Sequence, residues 1–404
     1  MSDALSLMSG PLDGIRVLDL SRVLTGPFCT MLLGDLGAEV IKIEIPKTGD
    51  DTRQWGPPFI GKESAYFLSI NRNKKSVTLN LNTDEGRKAL YELAEKSDIL
   101  VENFRPGVTE KLQVDYSTVA QKNPRLIYCS ISSYGYTGEY RDRLAYDLVL
   151  QGMGGLMGTT GEPDRPPVRV GVAISDIAGG MYGAIAILAA LKARERTGRG
   201  QWIDVSLLDS TVSWMTYMAS YFFATGKNPE KMGSAHPTIV PYQCFETSDG
   251  RFITAAIGND KLFRNFCKGI QMEQLADDTR FSTNPARVTH RHELIPMLEE
   301  AFRKKTRDEW LDILIKAEVP VGPVYSMEEV FSDPDVLQRE MLVHMDHPRA
   351  GKISQIGIPM KFSETSADIR SPPPLLGEHV DEVLGSLLGY DARRIAELRS
   401  QGIV

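Results

Sequence analysis

The feature that most constrains this chain is a rhythm across residues 14–135, where short β-branched runs alternate with helical stretches. "GIRVLDLS" (14–21) alternates like a strand. "GPFCTMLLGDLGAE" (26–39) follows as a helix, with Pro27 near its first position. "VIKIEI" (40–45) is the next strand, and the polar loop "PKTGDDTRQWGPPF" comes after it. "SVTLNLN" then reads as strand and "TDEGRKALYELAEKS" as helix, with Thr83 as N-cap. "DILVEN" is strand, "VTEKLQVDYSTVAQKNP" is mostly helical, and "RLIYCSISSYG" is strand again. Strands alternating with helices imply a parallel sheet with helices on its faces, so the expected class is α/β with a Rossmann-like large domain.

At 404 residues, two domains are the natural expectation. Composition shifts near 225, where "ATGKNPEKMGSAHPTIVPYQ" is polar and rich in turn formers. Beyond it, "YQCFETSDGRFITAAIG" reads as a hairpin turning at Ser248-Asp249-Gly250, and helical segments follow. The expected layout is a large domain over 1–225, a smaller α+β domain over 226–325, and a C-terminal segment over 326–404 that returns to the large domain.

The chemistry centres on "VRVGVAISDIAGGMYGAIAILAALKARERTGRG" (168–200), an alternating run that passes into a long apolar helix. Asp176 stands at the switch. A strand ending there would set its carboxylate at the mouth of the sheet, where ligands of open α/β folds bind. The plainer alternative is an N-cap. Gly179 and Gly180 weigh against that alternative, because glycine in a helix costs roughly 1 kcal/mol relative to alanine. Close approach of a ligand to the backbone is one way to offset it. The dipole and free amides at a helix start hold a carboxylate ionised, and such a group can act as a nucleophile.

Other classes fit poorly. The first strand leads into "SRVLTGPF", not the glycine fingerprint of dinucleotide binding. "GMGGLMG" (152–158) has no framing strand and acid, so close packing suits it better than phosphate. No G-x-S-x-G elbow is present. Cys29, Cys129, Cys244 and Cys267 lack metal spacing and suggest a reducing compartment. Six scattered histidines give no convergent metal site, so no metal is expected. A net charge of −7 argues against a nucleic-acid partner. No run of about 18 apolar residues is expected to span a membrane, and "MSDALSLMSGPLDG" resembles neither a signal nor a transit peptide. A cytoplasmic protein is the simplest expectation, and a trimmed protein of the mitochondrial matrix would look the same. Two basic clusters, "NRNKKS" (71–76) and "ENFRPGVTEK" (102–111), flank strands and are candidates for phosphate.

Taken together, the chain resembles the class III CoA-transferases (the CaiB/BaiF type), which include formyl-CoA transferase, carnitine CoA-transferase and α-methylacyl-CoA racemase. The residues that carry this are "LDGIRVLDLSRVLTGPFCTMLLGDLGAEVIKIE", "NRNKKSVTLNL", "VENFRPG", "YDLVLQGMGGLMGTTGEPDRPPVRVGVAISDIAGGMYGAIAILAAL" and "GRGQWIDVSLLDS". "GDDTRQWGPPF", "AHPTIVPYQ", "VGPVYSMEEVF" and "PPPLLGEH" resemble the succinyl-CoA:glutarate (hydroxymethylglutarate) CoA-transferase subgroup. The resemblance implies an interlocked, ring-like homodimer. It also implies a coenzyme A thioester as substrate, no tightly bound cofactor, and a carboxylic acid acceptor. Asp176 would attack the donor thioester, pass through a mixed anhydride and then carry CoA as an aspartyl thioester. Family CoA contacts fall on Val23 and Leu24, on Leu79, Asn80 and Asn82, on Asn103, Phe104, Arg105 and Lys111, and on Ser132, Tyr134 and Gly135.

Departures narrow the chemistry. Leu24 replaces a glutamine of formyl-CoA transferase and "GSAHP" replaces its glycine-rich loop, so oxalate is not the expected acceptor. Tyr146 stands where racemases carry a histidine beside the acid matching Asp147. A racemase needs two groups to exchange a proton on opposite faces, so loss of that histidine argues strongly against 2-methylacyl-CoA racemisation, which is kept as the alternative activity on the same fold. A dicarboxylic acceptor needs a cation for its second carboxylate, for which Arg22, Arg53 and His236 are candidates.

Overall fold

A computed structural model of the chain describes residues 10–404. The chain divides into two compact units. The first comprises 10–156, 170–216 and 334–404 of the described residues, and the second comprises 157–169 and 217–333. The second unit therefore starts before 226 and also takes a segment that the composition had left in the large domain.

In the first unit a six-stranded parallel sheet is built from β1 (Arg16–Asp19), β2 (Glu39–Glu44), β3 (Lys74–Thr78), β4 (Ile99–Glu102), β5 (Ile127–Ser132) and β6 (Trp202–Ser206). Its strand order is β3-β2-β1-β4-β5-β6, which is the Rossmann order. Register is set by pairs such as Leu18 with Ile41 and with Leu100. Leu18, Leu20, Ile41, Val77, Leu100 and Tyr128 face one buried layer. Val17, Val40, Ile99, Val101, Ile127 and Cys129 face the other. Burial on both faces explains why these strands are nearly continuous apolar runs.

The second layer is covered by α1 (Thr25–Asp35) and by the longest helix, which follows α2 (Asp84–Glu95) and α3 (Asp147–Met153) as α4 (Ile174–Thr197). α5 (Leu207–Ser213) leads away from β6. Thr83 caps α2 by accepting from the Gly86 amide at 3.1 Å. The C-terminal segment closes the first layer, where Val380, Val383, Leu384 and Ile395 pack beside Val77, Leu79 and Leu90. It is also tied to the sheet edge, since His379 N donates to Ser76 O at 2.9 Å and Asn80 N donates to Ile403 O at 2.8 Å.

Two expectations need correction. Residues 168–173 form no strand, despite their alternation. Val168 and Val172 are exposed, and Val170 N donates to the Gln151 side chain (2.8 Å) rather than to a neighbouring strand. β propensity is realised only against a partner. The other concerns α4, which by length and apolar composition alone is sufficient to cross a membrane. Its glycines do not lower hydropathy as charges would. Gly179, Gly180, Gly183, Ala184, Ile187 and Ala190 bury one side of it in the first unit.

The second unit has a three-stranded antiparallel sheet made of β7 (Tyr242–Glu246), β8 (Phe252–Ala256) and β9 (Val321–Pro323), ordered β9-β8-β7. Gly250 turns the β7–β8 hairpin at φ 72°. The core is aromatic, with Phe245 stacked on Phe302 at 4.5 Å and Phe302 tilted against Trp310 at 5.2 Å.

Candidate active site

The sheet reverses its winding between β1 and β4, which is where open parallel sheets bind ligands beyond the carboxyl ends of their strands. The loops leaving these two strands are joined there. Arg22 N donates to Asn103 Oδ1 at 2.8 Å, and Asn103 Nδ2 donates back to Arg22 O at 2.7 Å. Beneath the junction lies a buried charge network. Asp19 accepts from Ser21, from Thr30 (2.7 Å) and from Lys74 (3.1 Å). Lys42 donates to Ser21 O (2.8 Å) and pairs with Asp50 (2.9 Å). Burial alone would raise the Asp50 carboxyl, but Lys42 and the two hydrogen bonds from Thr52 together hold it down, at about 2. Burial lowers the Lys74 ammonium to about 8 against the pull of Asp19.

This network holds a strained turn. Val23 has φ 69°, a region where a β-branched residue is a genuine outlier. Its amide donates to Asp50 Oδ1 at 3.3 Å. Such strain persists where the surroundings over-determine the backbone, and it gathers at functional sites. The turn delivers Thr25 to the first position of α1.

Asp176 meets Thr25 across the α1–α4 contact. It lies in the first turn of α4 and does not cap it, since the N-cap is Ala173. The Thr25 hydroxyl donates to Asp176 Oδ1 at 2.6 Å. Among the described residues, Oδ2 has no recorded protein donor. Burial pushes the Asp176 carboxyl up to about 6; the Thr25 bond opposes this and the charge of Asp147 adds to it. Burial thus outweighs the stabilisation expected from the helix start, yet the group is mostly ionised at neutral pH. Neighbouring Asp147 is buried and accepts from Ser175 N (2.8 Å) and Gln151 Nε2 (2.6 Å).

Two cavities flank this junction. One, of about 240 Å³, is lined by Asp176, Thr25, Val23, Leu24, Asn103, Arg105, Ser132, Arg141, Arg143 and Tyr146, among others. The other, of about 360 Å³, is lined by Leu79, Asn80, Leu81, Asn82, Lys42, Asp50, Lys111 and Val108, among others. Arg22 and Phe104 line both, and the Arg22 guanidinium lies 5.3 Å from the Phe104 ring centre. An apolar wall with basic groups at intervals suits an extended anionic ligand with an aromatic end.

Most residues named from the sequence therefore converge on these walls, and some do not. Tyr134 packs edge-on to Tyr140 at 5.7 Å. Gly135 turns the chain after β5 at φ 79°, its amide held by Ser132 Oγ at 3.0 Å. Neither lines either cavity. Arg53 is unavailable to a ligand: it grips Glu44 through two bonds of 2.7 Å and its guanidinium covers Phe67 at 3.7 Å. His236 belongs to the second unit, stacked on Tyr217 at 5.5 Å, where burial and Arg291 lower its pKa and disfavour a cation.

Gly179 and Gly180 do not receive a ligand. A Cβ on Gly180 would lie 2.7 Å from Thr25 O, and one on Gly179 would lie 2.1 Å from a Leu207 methyl. Both serve the close contact of α4 with α1 and α5, which is what brings Asp176 to Thr25. In "NRNKKS", Arg72 is held bidentately by Asp35, Lys74 by Asp19, and Lys75 by Glu39 and Glu382, so this cluster is structural. Thr25, Arg141, Arg143 and the Lys42–Asp50 pair were not foreseen. Position next to Val23 and Leu24 was the only sequence signal for Thr25.

The sequence profile of CoA-transferase family III matches residues 12–380. A succinyl-CoA:glutarate CoA-transferase of Homo sapiens is 44% identical over 394 residues, covering 98% of this chain and 90% of its own. An acetyl-CoA:oxalate CoA-transferase of Acetobacter aceti is also 44% identical, over 356 residues, covering 88% of this chain and 90% of its own. The crystal structure of a CaiB/BaiF family protein from Brucella suis superposes with a TM-score of 0.84 at 43% identity, covering 94% of this chain and all of that one.

Proposed function

Because the chain belongs to CoA-transferase family III and is a CoA-transferase, we propose that it moves CoA from succinyl-CoA to a dicarboxylic acid such as glutarate, 3-hydroxy-3-methylglutarate or itaconate. Asp176 is the covalent carrier. The observation that carries this reading is its carboxylate, held by one oxygen on the wall of a cavity rich in arginine.

Asp176 Oδ2 attacks the donor thioester carbonyl, the C–S bond breaks, and CoA leaves as thiolate. The thiolate attacks Asp176 Cγ and the donor acid departs, which leaves an aspartyl thioester. The acceptor carboxylate then runs the sequence in reverse. Two easier steps replace one hard one. The anhydride survives only if water is kept out, and Leu24, Ile131, Leu144 and Leu207 form much of the apolar lining. The acceptor's second carboxylate meets the arginines on the same wall, Arg22 among them. Arg53 and His236 drop out for the reasons above. The Leu24 side chain offers no hydrogen bond to so short and polar an acid as oxalate, so oxalate is the weaker acceptor.

The test is intact-protein mass spectrometry after mixing with succinyl-CoA. A CoA-sized adduct that hydroxylamine removes, and that Asp176→Asn lacks, supports the carrier. Turnover by an enzyme that never gains mass contradicts it.

A further inference from the structure

We propose that the Thr25 hydroxyl is a catalytic residue that selects which oxygen of Asp176 attacks and then supports negative charge on the other. This rests on the reading of Asp176 as the covalent carrier. The Thr25 Oγ1–Asp176 Oδ1 bond, 2.6 Å long, joins two helices 151 residues apart in sequence. Thr25 is buried and is fixed from several sides: its carbonyl lies against Gly180, its methyl near Gly179, and the Val23 turn precedes it.

With Oδ1 engaged, Oδ2 is the free nucleophile. Once Oδ2 is acylated, Oδ1 becomes the carbonyl oxygen of the aspartyl half of the anhydride. CoA thiolate adds its sulfur lone pair to Cγ, and the C=O π electrons move onto Oδ1. The Thr25 O–H already points at that atom, as a preorganised oxyanion donor must. Collapse re-forms the carbonyl and breaks the Cγ–Oδ2 bond, so the donor acid leaves with that oxygen and no proton changes hands. The same geometry serves when the acceptor attacks the aspartyl thioester.

The groups that face Asp176 besides Thr25 are Asp147, whose charge disfavours ionisation, and Tyr66, which senses both carboxylates. Arg22, Arg105, Arg141, Arg143 and Tyr146 share its cavity. Losing the hydroxyl removes the one hydrogen bond that lowers the Asp176 pKa.

The experiment compares Thr25→Val, Thr25→Ser and Asp176→Asn with the unmodified enzyme, using succinyl-CoA and glutarate across a pH series. Valine keeps the shape of threonine and removes the hydroxyl. The expected result is a kcat loss on the order of 10²–10³-fold in Thr25→Val, the size found for one oxyanion donor. The KM for succinyl-CoA changes little, and the acidic limb of kcat/KM moves to higher pH. Thr25→Ser restores most of the rate and the original limb. Wild-type kcat and an unmoved limb in Thr25→Val, with Asp176→Asn inactive, overturn this proposal alone. A loss that serine does not restore overturns it too, because packing would then be the cause. An active Asp176→Asn overturns the carrier reading and this proposal with it.

Discussion

At the scale of single residues, the proposed carrier is a carboxylate whose surroundings pull in opposite directions. Burial raises the Asp176 pKa to about 6, above the ordinary carboxylate value near 3.9. The folded state therefore holds this proton to higher pH than the unfolded chain. The stability it contributes is fully present below the unfolded value and is lost as pH rises through about 6. At neutral pH the wild type thus carries an ionised, partly dry group at a cost. Asp176→Asn is expected to melt higher than wild type at pH 7.5 and to lose that advantage near pH 4, as read by thermal unfolding at both values. An advantage of the same size at both would contradict the assigned cause. The place of Asp176 at a helix start was legible in the sequence, because an acid amid apolar residues there is conspicuous. The roles of Arg53 and of "NRNKKS" were not, since only the fold reveals that Glu44, Asp35 and Asp19 already hold those cations.

At the scale of elements, the site depends on how closely α4 rides on α1. A Cβ at position 180 would meet backbone, Thr25 O at 2.7 Å, which cannot swing aside as a side-chain tip can. Gly180→Ala therefore pushes the helices apart, at roughly 1–3 kcal/mol for an overpacked contact. It also lengthens the bond that orients the nucleophile. The expected outcome is a folded enzyme with lower Tm and an acylation rate reduced more than KM is raised, measured by thermal melt and single-turnover kinetics. Unchanged acylation would show that the contact does not place Asp176. The glycine pair was visible in the sequence, but its purpose was misread, because glycine serves close approach of a helix as readily as of a ligand. The false strand at 168–173 has a similar origin. Alternation reports a side-chain pattern, whereas a strand also needs a neighbour with free backbone groups.

At the scale of the whole molecule, the alternation of elements made the parallel sheet legible, and its order was not, because parallel pairing joins residues far apart in sequence. Tyr182 and Met181 with Ile185 on α4, Leu148 and Val149 on α3, and Val212 on α5 remain exposed in the single chain, more large apolar surface than scattered residues explain. We propose that a second copy covers it in a homodimer. Ile185, 57% exposed, is the residue to change: Ile185→Asp is expected to shift the protein from dimer to monomer in light scattering coupled to size exclusion, and a monomeric wild type would refute the assignment. The catalytic cycle itself is followed most directly by oxygen. Each passage through the anhydride exchanges one carboxylate oxygen between Asp176 and an organic acid. Enzyme incubated with succinyl-CoA and succinate labelled with oxygen-18 in its carboxylates, then digested, should yield an Asp176 peptide that has gained one heavy oxygen. A peptide that stays unlabelled while the label circulates between succinate and succinyl-CoA would contradict the covalent carrier.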